Sequence, residues 1–210
     1  MAIASLKDLY FDELSDLHDA ELQMIRTLPR LAEAARAPEL REALRKHCDE
    51  SRLHLERLEL ILTHWGVRRR AKPCTGLAGI VQEADDRMNQ EATDDARDAG
   101  IIGVAQRIEH YEIAAYGCAR TYARRLNRPD EARLLQETLD EEGRTDRRLT
   151  EMAEAQTVPP QKAENLSPDA WSFTNEFAPD REQMVARGIE QSRPSSESET
   201  YTPPHGDKLR

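Results

Sequence analysis

The sequence predicts an all-α protein built as a four-helix bundle, and three observations carry that expectation. Up to about residue 155 the chain is dominated by Ala, Leu, Glu and Arg, with 5% aromatic and 33% charged residues overall, the composition of amphipathic helices rather than sheets. Four segments repeat apolar residues at alternating spacings of three and four. Very short connections join the first two and the last two of these segments, whereas a long one separates the pairs.

The first helix is expected from about Ser5, an N-cap residue, to Ala35, with Leu14, Leu17, Met24, Leu28 and Leu31 on its stripe. Pro29 predicts a kink near its end. The second runs from about Pro38 to His64 with Leu44, Leu55, Leu58, Ile61 and Leu62, and Gly66 supplies the stop. The third, about residues 98–126, carries Ile101, Ala105, Ile108, Ala115, Ala119 and Tyr122. The fourth, about Pro129 to Ala155, carries Leu135, Leu139, Leu149 and Ala153. The short turns require two antiparallel hairpins. Residues 65–97 between them are too long for a tight connection and imply a crossover, part of it a short amphipathic helix with Leu77, Ile80, Val81, Ala84 and Met88. Two hairpins joined by one long crossover is the ferritin-like connectivity.

The bundle should therefore occupy residues 1–155. Beyond about residue 156, Pro, Ser, Glu and Thr accumulate, the composition of a largely disordered tail. Trp171, Phe173 and Phe177 stand out in it as a cluster suited to docking on the same or a sister subunit.

The formal net charge of -10 argues against general electrostatic binding to nucleic acid or to an anionic membrane. The run Arg68, Arg69, Arg70 reads as a solvated loop beside a helix end. Charge begins at Lys7 and Asp8, and no apolar run approaches the roughly 20 residues that span a bilayer, so a cytoplasmic location without a membrane segment is expected. Cys48, Cys74 and Cys118 show no CxxC spacing and indicate neither a disulfide framework nor a zinc knuckle.

The two hairpins resemble each other. Aligning Pro38 with Pro129, and allowing one inserted residue, matches Glu50 to Glu142, His54 to Asp146 and Glu21 to Glu112. Those glutamates fall where apolar residues belong. Glu21 interrupts the stripe of Leu14, Leu17 and Met24; Glu112 that of Ala105, Ile108 and Ala115; Glu142 that of Leu135, Leu139 and Leu149. Glu50 lies at the stripe edge between His47 and His54.

A single glutamate in such a stripe commonly packs its stem and sends its head to water. Four, one per helix, converging in a core would repel one another, and burying each charge alone costs several kcal/mol. Two metal ions would compensate, and carboxylate oxygens with a few imidazoles suit iron or manganese. Glu21, Glu50, Glu112 and Glu142, completed by His54 and Asp146, form the expected ligand set. His47, Glu109, His110 and Tyr116 are the expected supporting groups around them, the two histidines being open to a core-satisfying role, Glu109 to direct ligation or to a solvated place, and Tyr116 to a plain core role.

At Asp12–Gln23, at His47-Cys-Asp-Glu-Ser51 with Leu55–Glu59, at Glu109-His-Tyr-Glu-Ile-Ala-Ala-Tyr-Gly117 and at Thr138–Glu142 through Asp146, the sequence resembles the YciE/YciF-like stress proteins of the ferritin-like superfamily. The likeness covers residues 5–155. It implies a soluble bacterial protein, homodimeric, linked to general or oxidative stress. One departure is visible: the Glu-x-x-His of ferritin-like di-metal bundles would need histidine at positions 53 and 145, which are Leu53 and Thr145. The leading expectation is thus a di-iron or di-manganese carboxylate protein reacting with peroxide or dioxygen or oxidising Fe(II), without assembly into a storage cage. The alternative is a non-enzymatic interaction or protective bundle that keeps the polar core without metal.

Overall fold

The computed structural model describes residues 3–66 and 72–155. They form five helices: α1 Leu6–Ala34, α2 Pro38–His64, α3 Thr75–Asn89, α4 Asp94–Arg125 and α5 Pro129–Ala155. The Arg68–Arg70 run and the tail from residue 156, with Trp171, Phe173 and Phe177, lie outside the described residues. The expected fold is the one observed. α1 and α2 form one hairpin, α4 and α5 the other; α1 packs on α4 and α2 on α5, while α3 is the crossover helix, seated against α1 and α4.

Local chemistry sets the helix ends. The Ser5 Oγ accepts from the Asp8 amide at 3.1 Å and donates to the Asp8 carboxylate at 2.8 Å, a reciprocal cap that starts α1. The helix then runs through Pro29 to Ala34. α4 begins four residues before the position expected from its apolar stripe. Its first turn is polar, so periodicity alone misses it; the Thr93 hydroxyl accepts from the Ala96 amide at 3.3 Å, and Asp94 and Asp95 sit on the positive end of the helix dipole. Asp98, on the second turn, is buried and accepts from the Arg36 and Ala37 amides at 2.7 Å each, which ties the α1–α2 turn to α4. Asn127 turns the chain between α4 and α5 with φ 58, a left-handed conformation that Asn tolerates.

The crossover is fastened where α3 begins. Lys72 pairs with Asp12 at 2.7 Å, and the Cys74 amide donates to Asp19 at 2.8 Å. The Tyr111 hydroxyl donates to Asp16 at 2.9 Å and lies 2.9 Å from the Cys74 sulfur. Gly76 passes directly beneath the Tyr111 ring, where a Cβ would fall 2.7 Å from ring carbon Cε2.

Two apolar cores fill the bundle. One contains Met24, Leu28, Leu31, Leu40, Leu44, Ile101, Ile108 and Leu149; the other Tyr10, Leu14, Leu17, Leu58, Ile61, Tyr116, Ala119 and Leu135. On all four long helices the residues between the two sets are polar and buried: Glu21 on α1, His47, Ser51 and His54 on α2, Glu109 and Glu112 on α4, Thr138 and Glu142 on α5. A polar layer thus crosses the middle of an otherwise apolar interior.

Candidate metal centre

Each polar residue of that layer occupies an inward position of its helix, reached from the neighbouring apolar positions by steps of three or four. On α2 the inward series is Leu44, His47, Ser51, His54, Leu58. On α4 it passes through Ile108, Glu109 and Glu112 to Tyr116, and on α5 through Leu135, Thr138 and Glu142 to Leu149. Glu21, Glu112, Glu142 and His54 are fully enclosed, and His47 and Glu109 nearly so.

Their donor atoms gather into two groups that share one residue. In the first, Glu21, His54 and Glu142 each bring an atom within 4.8 Å of the others; in the second, His47, Glu109 and Glu142 do the same. The His54 Nδ1 lies 2.9 Å from Glu142 Oε1 and 3.2 Å from Glu21 Oε1. The His47 Nε2 lies 3.1 Å from Glu109 Oε1 and 3.9 Å from Glu142 Oε2. The two oxygens of Glu142 therefore address different histidines, the disposition of a carboxylate that bridges two positions.

Short as these approaches are, they are not hydrogen bonds. His54 Nδ1, both nitrogens of His47, Glu21 Oε2 and both oxygens of Glu109, Glu112 and Glu142 are buried and have no hydrogen-bond partner among the described residues. Buried polar atoms are nearly always paired, so a concentration of such atoms at one place is a site that can take a partner other than protein. Lone pairs converging without donors between them are what a cation needs.

The electrostatics agree. Burial pushes Glu109 up to about 8, with the charges of Glu21 and Asp146 adding to the effect. Burial likewise raises Glu142 to about 8 against the opposing pull of His47 and His54. Glu112 is raised well above the carboxylate range, first by burial and then by Glu21, Glu142 and Glu109. Burial alone would lower His54, but Glu142 and Glu21 beside its ring push it up to about 10. Without a cation this layer holds protons instead.

Supporting contacts reach outward from the layer. The Tyr116 hydroxyl donates to Glu21 Oε1 at 2.5 Å, so Tyr116 fastens a carboxylate of the cluster. The other ring nitrogen of His54, Nε2, lies 2.9 Å from Glu141 Oε2. Glu141 in turn is gripped by both terminal nitrogens of Arg57, at 2.5 and 3.1 Å, and although burial raises its pKa, Arg57 and His54 hold it below the usual range.

Of the ligand set expected from the sequence, the structure brings together Glu21, His54, Glu112 and Glu142 and does not bring in Glu50 or Asp146. Glu50 pairs with Lys46 at 2.8 Å and lines a surface groove between α2 and α5. Asp146 pairs with His110, which is exposed rather than supporting the cluster, at 3.1 Å. Their places are taken by His47, expected as a supporting group, and by Glu109, for which direct ligation was one of the expected roles.

The reason is register. Glu21 and Glu112 are 91 residues apart, and the same unbroken offset of 91 pairs Leu44 with Leu135, His47 with Thr138, Ser51 with Glu142 and Leu58 with Leu149, all buried. The inserted residue assumed in the sequence comparison is not needed. Glu50 and Asp146 each lie one residue from an inward position, about 100° around the helix. Glu141 and Arg57 were missed altogether; their signal is that each lies beside the inward series, Glu141 next to Glu142 and Arg57 one turn after His54.

Four carboxylates and two imidazoles are a hard, oxygen-rich donor set of the kind that can hold a metal ion. Two divalent cations would balance the four negative charges.

The comparisons with known proteins agree with this architecture. Residues 5–161 match the model of a family described as a domain of unknown function, DUF892. Protein YciF of Escherichia coli K12 is 34% identical over 154 residues, spanning 73% of this chain and 93% of that protein. The crystal structure of the E. coli stress protein YciF superposes with a TM-score of 0.71 over 72% of this chain and 96% of the other. YcfI of Rhodopseudomonas palustris, provisionally described as a structural protein, is 32% identical with a TM-score of 0.68, covering 70% of this chain and 94% of the other. A Xanthomonas campestris protein at 18% identity and a TM-score of 0.58 shares the fold, over 72% of this chain and 92% of its own. The chain accordingly belongs to the DUF892 family and is a homologue of the stress protein YciF.

Proposed function

We propose that this protein holds two iron or manganese ions in the polar layer and uses them within a stress response, reacting with peroxide or dioxygen or oxidising Fe(II). The observation that carries this reading is the set of buried, unpartnered donor atoms on Glu21, His47, His54, Glu109, Glu112 and Glu142. Glu21, His54 and Glu142 would hold one ion, and His47, Glu109 and Glu142 the other, with Glu112 supplying charge beside them. When bound, the ions supply Lewis acidity and one-electron redox capacity at neutral pH.

The protein residues do the rest. The apolar cores on either side keep bulk water from the layer and strengthen every electrostatic interaction inside it. Tyr116 keeps Glu21 oriented. Protons held on the Glu109, Glu112 and Glu142 carboxyls leave as cations enter, so loading releases protons.

A second reading, a protective or interaction bundle without metal, draws support from the structural description given to YcfI. The two are separated by elemental analysis of protein purified without chelators, followed by addition of Fe(II) and peroxide. Bound iron or manganese and a metal-centred absorbance support the first; absence of both supports the second. The unit is proposed to be a homodimer, and the half-exposed Leu53 and Leu60, one above the other on the outer face of α2, are the surface best suited to the contact. Sedimentation of L53E/L60E should then show a monomer where the native protein shows a dimer.

A further inference from the structure

The two halves of the layer differ in what stands behind their histidines. His54 presents Nδ1 to the cluster while its Nε2 meets Glu141 at 2.9 Å, and Arg57 closes on Glu141 with a two-nitrogen fork and also donates to Thr138 at 3.0 Å. His47 presents Nε2 to the cluster, but its Nδ1, equally buried, has no hydrogen-bond partner among the described residues. Nor is the difference a matter of burial, since both rings are enclosed.

An imidazole whose distal N–H is held by a carboxylate is fixed in tautomer and orientation, and its other nitrogen becomes a stronger donor. A ring without that partner must find its orientation when the cation arrives, which weakens binding. Resting on the two-ion reading above, we infer that Glu141, clamped by Arg57, is a positioning residue that makes the Glu21–His54–Glu142 position the tighter of the two, so that the ions load in order, His54 side first. Among the described residues, Glu141 meets the cluster through the His54 ring. Arg57 serves by keeping the Glu141 carboxylate charged and aimed.

Binding of Mn(II) to the chelator-treated full chain, followed by the loss of the free-ion electron paramagnetic resonance signal, tests this. The native protein should bind two ions in two separable steps. E141A should weaken the tighter step by about 10- to 100-fold, the range seen when such outer carboxylates are removed, and leave the weaker step in place, so that the two merge. R57A should shift the same step in the same direction.

A double-mutant cycle excludes a merely structural role: in the H54A background E141A should have no further effect, and in the H47A background it should keep its full effect. If E141A leaves both steps unchanged, weakens both equally, or acts independently of His54, the inference is wrong while the two-ion reading stands. If the native protein takes up neither Mn(II) nor anaerobic Fe(II), both fall together.

Discussion

The chemistry of this protein turns on individual side chains whose positions contradict their polarity. Tyr116 is one. Its hydroxyl donates to Glu21 Oε1 deep in the bundle, and Y116F would remove the hydrogen bond that holds that buried carboxylate. The expected cost to the metal-free protein is about 1.5 to 3 kcal/mol, the usual value of a hydrogen bond to a charged group, read as a lower denaturant midpoint. Glu142 is the sharper probe because both candidate positions depend on it. E142L should abolish uptake of both ions, whereas H47A should abolish only one. If no metal is bound in the native protein, E142L should instead raise stability, since it removes a buried acid with no ligand lost.

Helices decide which of these residues meet. The two hairpins, their short turns and the crossover helix were legible in the apolar spacing, because burial of a stripe dictates it directly. So was Glu21, which breaks its stripe at a position that cannot face water. Glu50 and Asp146 lie beside the layer rather than in it, because the inserted residue in the alignment of the two halves shifts each by one position, and one residue on a helix is about 100° of rotation. The unbroken offset of 91 between Glu21 and Glu112 was present in the sequence and points to Ser51 and Thr145 as the inward partners. The start of α4 was hidden for a different reason: a polar first turn held by Thr93 carries no apolar signal.

The crossover offers a test at the same scale. G76A would press a methyl into the Tyr111 ring, whose hydroxyl is already held by Asp16 and lies against the Cys74 sulfur, so the ring cannot swing aside without breaking those contacts. Loss of about 1 to 3 kcal/mol and a lower Tm are expected. If the clash is the cause, the combined cost of G76A and Y111A should be smaller than the sum of the two single costs.

At the scale of the whole described bundle, two apolar cores are separated by a layer whose charge must be neutralised by protons or by cations. In the metal-free protein Glu109 and Glu142 titrate near 8 and His54 near 10, all above their ordinary values. For the two acids, stability is fully present below the ordinary carboxylate range and is lost as pH rises toward 8. The His54 contribution is full below about 6.5 and is lost as pH rises toward 10. Both have the same sign, so the urea midpoint of chelator-treated protein should fall steadily from pH 5 to pH 9. Saturating metal should flatten that decline, because ligation replaces the protons.

The central claim is that cations, not protons, complete this layer in the working protein. Metal content of the native chain, purified without chelators at neutral pH and compared with E142L, tests it most directly. The account predicts close to two iron or manganese ions per chain in the native protein and none in E142L; a native protein free of both metals that refuses Fe(II) on addition would contradict it.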